Sequence, residues 1–539
     1  MIINIFRNKF FAIFCLLIVL NIASTNGQSK RELFNYKTRA NENFKSYRYH
    51  LALPDFLTLD SIDGAENTYI YPIAVCYMMQ DNSSEALPYF KECLKTADKY
   101  PLDLFYYAGK TLHLEHEFEE AIVNFDIYNS LMLQKKKKNF KTIAKIYREI
   151  EMCRNGKDYT SHPASIKIEN LGMQINTKYP EYAPVVTADE KKIIYTSNRP
   201  HSTFNPKVQS DGHYMEDIYV SEKDENNQWQ LSQILPSGVN SVGNDASISI
   251  TPDGHKLLIY RATQDYWIKS SSGDLYTVEL KGDQWSEPLP LPEVINSSSW
   301  ESSACFSANE KLLLFTSNRP GGMGGTDIYI SAKLPGGQWD TPKNFSSKIN
   351  TSFDEDSPYL HPDGKSLYFS SNGHKSMGGF DIFVSTYDDI KKEWNEPVNL
   401  GYPINSAHDD IYFSLSADGK RIYFSSIRPE SHGNRDLYCA HFNETPASLM
   451  VVSGVIRDSL TQQPLEAIIK LIDKSTNQLL GIFNSNSSTG KYLLVLPEGK
   501  NYHVVIESEF HELCDEYFDI SKISSFEEVK KNIVLCQKK

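Results

Sequence analysis

An aspartate recurs five times at one point of a repeated pattern: Asp217, Asp274, Asp327, Asp381 and Asp436, each followed by a branched aliphatic residue and an aromatic. Carboxylates gathered at one level would suit a calcium site or acid-base catalysis. A carboxylate at the same place in every unit is better suited to accepting backbone hydrogen bonds at a strand entrance, where it fixes a turn. We read these five as structural. Arg199, Arg319 and Arg428 share another repeated position, beside Pro200, Pro320 and Pro429. They are the candidates for a binding face that meets an acidic partner, with pairing to carboxylates inside the molecule as the favoured alternative.

Other chemistry is thin. A serine hydrolase would carry a G-x-S-x-G elbow on an α/β domain, and neither is present. His113 and His116 lack the H-E-x-x-H pattern and are placed on the polar face of a helix. His361 and His408 do not recur between units, so they suggest no symmetric ligand ring. The glycine-rich stretch at 321–325 lacks the Lys-Ser/Thr of a phosphate loop and reads as a flexible hairpin. The lysine run at 135–138 reads as a solvated helix start. No catalytic residue, metal or cofactor is expected.

The elements that hold these residues follow from the repeat itself. Steps of 53 to 57 residues separate the aspartates. An Ile/Val-Asn pair ends at Asn176, Asn240, Asn296, Asn350 and Asn405, and four of these lie 11 positions after Trp229, Trp285, Trp339 and Trp394. Such a period means supersecondary units too small to bury an apolar face alone. Runs such as Leu367-Tyr368-Phe369 after Asp363-Gly364 are strands after tight turns. The first and third units carry Asp189-Glu190 and Asn309-Glu310 there, which predicts a different turn type. A leader at Ile175-Asn176 precedes the first unit and none follows Tyr438, so the N-terminal strand completes the last sheet and closes a ring.

The remainder is of other kinds. Ala52, Ala86 and Ala121 lie 34 and 35 residues apart, each with a phenylalanine four positions on (Phe56, Phe90, Phe125) and a small residue twelve before (Ala40, Ala74, Gly109). This predicts paired helices, with a capping helix over 137–153. After residue 447, short alternating strands with turn signals predict a small β-sandwich.

The 539 residues, 40% hydrophobic and 23% charged, supply material for roughly three or four domains. A net charge of -13 argues against nucleic acid or anionic lipid as the main ligand. Arg7 and Lys9 precede an apolar run, and small residues then allow cleavage before Gln28, the pattern of a secretory signal peptide. No cysteine stands directly after that point to carry a lipid, and no later stretch spans a membrane. Seven cysteines remain without metal-site spacing. Cys514 and Cys536 either pair or stay as buried free thiols.

Three resemblances attach to these residues. The helical period resembles the tetratricopeptide repeat. The run Leu314-Phe315-Thr316-Ser317-Asn318-Arg319-Pro320-Gly321-Gly322-Met323-Gly324-Gly325-Thr326-Asp327-Ile328-Tyr329 resembles the WD-like repeat of Tol-B-type periplasmic propellers, and the second unit, with Tyr260-Arg261 in place of Ser-Asn-Arg, departs most. Val452-Ser453-Gly454-Val455-Ile456-Arg457-Asp458 opens a segment similar to the carboxypeptidase-regulatory-like domain, a transthyretin-like sandwich. The order resembles a family of exported Bacteroidetes proteins, related to those ending in a peptidoglycan-anchoring domain of outer-membrane-protein-A type. Some of them serve type IX secretion and gliding. The expected organisation is a signal peptide (1–27), an α-helical repeat domain (28–158), an all-β five-bladed propeller (159–446) and a transthyretin-like β-sandwich (447–539). The resemblance implies a periplasmic, outer-membrane-associated scaffold or adaptor whose partners are cell-envelope proteins, with no transmembrane anchor. The lack of the anchoring domain puts direct peptidoglycan binding in doubt. The rival expectation is a propeller-based carbohydrate- or peptide-processing enzyme.

Overall fold

The computed structural model describes residues 31–63, 68–134, 140–201, 209, 212–236, 238–252, 254–263, 272–442, 449–497, 499–520 and 527–538. The expected signal peptide, the lysine run at 135–138 and Asp253 lie outside them. No helix among the described residues is long and apolar enough to cross a membrane. The chain divides into two compact units, one of residues up to Ile150 together with 208–213, the other of residues 151–207 and from Tyr214 onward.

The first unit is helical. Ile70–Met78 packs against Ser83–Leu94, and Asp103–Leu114 against Phe118–Gln134. The small residues and phenylalanines of the 34-residue period are buried, with Ala52, Ala86, Ala121, Phe90 and Phe125 fully enclosed. Gly109 shows why one position must be small: a Cβ there would stand 2.9 Å from the Phe125 ring. The last helix runs Phe140–Ser161, eight residues beyond the expected end of the capping helix.

The second unit is β-rich. Its first part is five antiparallel sheets of at least four strands. The first strands are Glu181–Val186, Asp245–Ile250, Glu301–Phe306, Glu355–Leu360 and Ile411–Leu415. Each of these neighbours the first strand of the next sheet, and the fifth neighbours the first, so they form a closed ring around an axis. The apolar cores lie between consecutive sheets. Val185, Ile194 and Ile218 meet Leu257, Ile259 and Val278 between sheets one and two, for example, while Ile193 and Tyr195 meet Tyr423 and Leu437 between sheets one and five. Trp285, Trp339 and Trp394, each at the outer edge of its own sheet, pack on the core shared with the preceding one. Lys167–Asn170, the leader, pairs antiparallel with Asp436–His441 and completes sheet five.

The second part is a β-sandwich of two sheets. One holds Leu449–Asp458 between Lys491–Pro497 and the two short C-terminal strands, which run parallel to it. The other has the order Gln478–Asn484, Ile468–Asp473, Asn501–Glu507, Cys514–Asp519. Val452, Ile469, Leu494, Val504 and Leu535 form its core.

Candidate functional site

The repeated polar residues turn out to be one device built five times. The side-chain amide of each marker asparagine grips the backbone of the residue after a recurrent aspartate. Asn240 holds Ile218, Asn296 holds Leu275, Asn350 holds Ile328 and Asn405 holds Ile382, through both N–H and C=O at 2.8–3.1 Å. Asn176 does the same for Leu437 and so joins the two ends of the ring. The aspartates sit where their third strands begin, and Asp217, Asp327, Asp381 and Asp436 are buried. Asp327 accepts from the N–H of Met323 and Gly324, Asp381 from Met377 and Gly378, and Asp436 from His432 and Gly433. Burial raises the carboxyls of Asp274 and Asp381 above the usual range. The glycine-rich stretch at 321–325 is thereby corrected from a flexible hairpin to a clamped one. Gly325 N–H also bonds Phe353 O at 3.0 Å, and a Cβ on Gly324 would collide with that same carbonyl.

The three arginines point inward. Arg319 bonds Glu301 at 3.1 Å and the Ile295 carbonyl at 2.6 Å, and Arg199 bonds Glu181 at 3.0 Å and the Ile175 carbonyl at 2.8 Å. Arg428 bonds the carbonyls of Pro403 and Ile404 beside Asp410. Each lies over aromatic rings of its own sheet. Arg261, two positions out of phase, reaches the equivalent partners, Asp245 and the Val239 carbonyl. In sheet four Gly373 takes the arginine's place, and His374 contacts the Ile349 carbonyl at 2.8 Å. Glu355 is the first-strand acid of that sheet, and burial pushes its carboxyl up to about 7.

These acids, Glu181, Asp245, Glu301, Glu355 and Asp410, escaped the sequence reading although each lies five residues after a marker asparagine. A Thr or Ser directly after that asparagine gives both its N–H and its hydroxyl to the acid, as Thr351 does to Glu355. The Asp-Gly positions bring another correction. Glu190 and Glu310 adopt the same left-handed conformation (φ 52° and 53°) as Gly254, Gly364 and Gly419, with the same turn hydrogen bond. The side chain of Asp189 or Asn309 accepts from the residue two positions on and holds the turn. The glutamates then tie neighbouring sheets: Glu190 to Arg421 and Tyr423, Glu310 to Lys256.

The ring axis contains a cavity of about 280 Å³. Three of its serines serve seams between first strands. Ser247 donates to Ala183 O, Ser303 binds Asp356 and accepts from Ser357 N–H, and Ser414 accepts from Val186 N–H. The strands lining it are bulged, with Ala183, Ser357 and Tyr412 at positive φ. Bulges of this kind re-aim side chains.

The two ends of the cavity differ. Toward the starts of the first strands stand Tyr182, Tyr412, Tyr260, Trp300 and Glu216. The Tyr182 and Tyr412 rings are 5.8 Å apart, and Trp300 Nε1 donates to the Tyr260 hydroxyl at 3.2 Å. Burial first, and the charge of Glu216 as well, raises all three phenols above the ordinary range. At the other end Ala188 and Ala417 pack against Val451, Leu493 and Val495 of the sandwich. Asn486 bonds Gly282 O and Lys311 bonds Leu479 O, so the sandwich lies across that end.

Elsewhere, His113 is buried rather than on a polar face, because its helix packs that side against Phe118, on which His116 also stacks. His361 is buried beside Asp363. All seven described cysteines are free thiols; of the expected pair, Cys514 is half-buried and Cys536 exposed, so neither is a buried thiol.

No protein-family model matches the chain, and no curated protein does. Solved structures give partial likenesses. A structure of a BT0996 RGII complex is 11% identical, with TM-score 0.36, over 54% of this protein and 94% of that one. The alpha-L-arabinofuranosidase from Lactobacillus brevis is 14% identical, with TM-score 0.34, over 51% and 93%. Hydroxyquinol 1,2-dioxygenase from Pseudomonas putida DLL-E4 is 10% identical, with TM-score 0.14, over 17% and 58%. None of these scores assigns an activity to this chain.

Proposed function

We propose that this chain is a non-enzymatic binding protein of the cell envelope, an exported scaffold or adaptor. In this reading the helices are tetratricopeptide-like repeats, the ring is a five-bladed WD-like propeller and the sandwich is transthyretin-like, of the carboxypeptidase-regulatory type. The observation that carries it is the division of labour in the ring. Repeated acids, arginines, asparagines and serines are spent on holding the sheets together. The aromatic residues at one mouth of the cavity do not recur from sheet to sheet and stand outside that repeated set, although the Tyr182–Tyr412 and Trp300–Tyr260 contacts also bridge neighbouring sheets. A rigid platform with a distinct, concave, aromatic mouth is suited to recognition. Partners in a secretion or motility machine belong to this proposal through the resemblance of domain order alone.

Affinity purification of the full chain from envelope extracts, with quantified recovery, tests the proposal. Stoichiometric recovery of defined protein partners supports it. Turnover of a glycan or peptide panel by the purified protein, abolished by Glu216→Gln, would establish the enzyme instead.

A further inference from the structure

The strand Cys514–Asp519 forms one edge of the sandwich's second sheet. It pairs with Asn501–Glu507 and, among the described strands, with no other. Hydrogen bonds at its end settle which backbone groups face outward. The Ile520 N–H bonds the Lys500 carbonyl at 3.1 Å, so position 520 bonds inward, and alternation along an antiparallel pair gives the same role to Phe518, Glu516 and Cys514. On the far side of Asn501–Glu507, the Lys474 N–H bonds the Asn501 carbonyl, as that alternation requires. Asp515 and Tyr517 therefore turn their N–H and C=O away from the sheet. No other backbone group among the described residues bonds theirs.

An open row of backbone groups pairs with any strand that fits, so native edges are guarded by proline, a bulge, a cover or charge. At the opposite edge of this sheet, Gln478–Asn484 has an irregular register, and Lys311 of the ring bonds its Leu479 carbonyl. Cys514–Asp519 has an unbroken register and no proline or glycine. Its guard is charge. Asp515 and Glu516 lie side by side, with Glu507, Glu509 and Glu512 before them. A second copy of the strand would set acid against acid, which disfavours self-pairing. A basic strand meets the opposite condition. Asp515 holds His503 at 2.7 Å, and Glu516 bonds Lys531, each through one carboxylate oxygen, so the other oxygen can accept from a further cation. Leu513 and Tyr517, on either side, are exposed apolar neighbours. Resting on the binding-protein reading above, we propose that this edge takes up an extended segment of a partner protein as a fifth strand. That segment carries adjacent lysine or arginine residues opposite Asp515 and Glu516, flanked by apolar residues. The net charge of -13 favours the approach of such a segment.

Fluorescence polarisation with the full-length protein tests this with three labelled peptides. They are acetyl-Thr-Val-Lys-Lys-Val-Thr-amide, its Glu-Glu counterpart, and the Lys-Lys peptide N-methylated at every residue, which removes its backbone donors. We expect saturable binding of the Lys-Lys peptide, with the other two each weaker by about tenfold or more. Tyr517→Pro removes an outward N–H that the sheet itself does not use, and should abolish binding. Tyr517→Thr, which keeps that N–H, should stay within about threefold of wild type. Unchanged circular dichroism shows that the variants are folded, and the peptide comparison on wild type decides the matter even if the proline variant fails to fold. Equal binding of the Glu-Glu or the N-methylated peptide, no saturable binding of the Lys-Lys peptide, or full binding by folded Tyr517→Pro would overturn the proposal. A defined envelope partner recovered equally by wild type and Tyr517→Pro would overturn it too, while leaving the binding-protein reading intact.

Discussion

Asn176 holds both the N–H and the C=O of Leu437, at 2.8 and 2.9 Å, across 261 residues of chain. The same amide grip occurs within the ring four more times, but only this one joins its first and last elements. Asn176 is buried and also donates to Asn170, whose own amide reaches Asp436. Asn176 and Asn170 thus reinforce the backbone ladder by which the leader strand completes sheet five.

Asn176→Ala should destabilise the second unit by about 1–3 kcal/mol, because it leaves the Leu437 N–H buried without this acceptor and its C=O with the Leu171 N–H alone. Asn296→Ala removes an equivalent grip away from the closure and should cost less. Urea unfolding followed by circular dichroism checks both. Equal loss in the two variants would mean that closure adds nothing.

Glu355 gives the ring a pH dependence of predictable sign. Its carboxyl is raised to about 7 by burial, so the folded state retains a proton that the unfolded chain releases near 4.3. Stability from this group is fully present below that lower value and is lost as pH rises toward 7. The stability difference between wild type and Glu355→Gln should therefore move by up to about 3 kcal/mol between pH 4.5 and 7.5, in favour of the variant at high pH. A difference that stays flat with pH would refute the assignment.

Arg319→Met should cost about 3–5 kcal/mol, since it strands the fully buried Glu301 and the Ile295 carbonyl. At temperatures where the variant remains folded, partner recovery should be unchanged, because this arginine serves the framework. Lost recovery by a folded variant would return Arg319 to the binding face.

Gly109→Ala forces a methyl against the Phe125 ring and should lower the stability of the helical unit by about 1–3 kcal/mol. Thermal unfolding should then show the helical signal melting earlier while the strand signal stays put.

The framework was largely legible because it repeats. The asparagines and aspartates kept a fixed phase, and the leader at Ile175-Asn176 predicted a closure that the pairing of Lys167–Asn170 with Asp436–His441 displays. The first-strand acids had the same phase and were overlooked because Glu and Asp are mixed there. Arg261 was not grouped with the repeated arginines because Tyr260-Arg261 replaces Ser-Asn-Arg, yet its long side chain reaches the equivalent carboxylate and carbonyl. Glu190 and Glu310 misled for a related reason: the hydrogen bonds of the turn impose a left-handed residue, and the ion pairs to Arg421 and Lys256 offset part of its strain. The aromatic mouth had no signal at all. Tyr182, Glu216, Tyr260, Trp300 and Tyr412 are contributed by four sheets from different points of their repeats, and only folding gathers them.

The sandwich resting on Ala188 and Ala417 has a topological consequence. An annulus open at both faces can be threaded: a filament, an extended chain or a stream of solvent can pass from one side to the other. With Val451, Leu493 and Val495 across one face, this ring is a cup. Whatever occupies it must arrive as an end or a protrusion, never as a strand passing through, and water expelled on arrival has to leave past the incoming group.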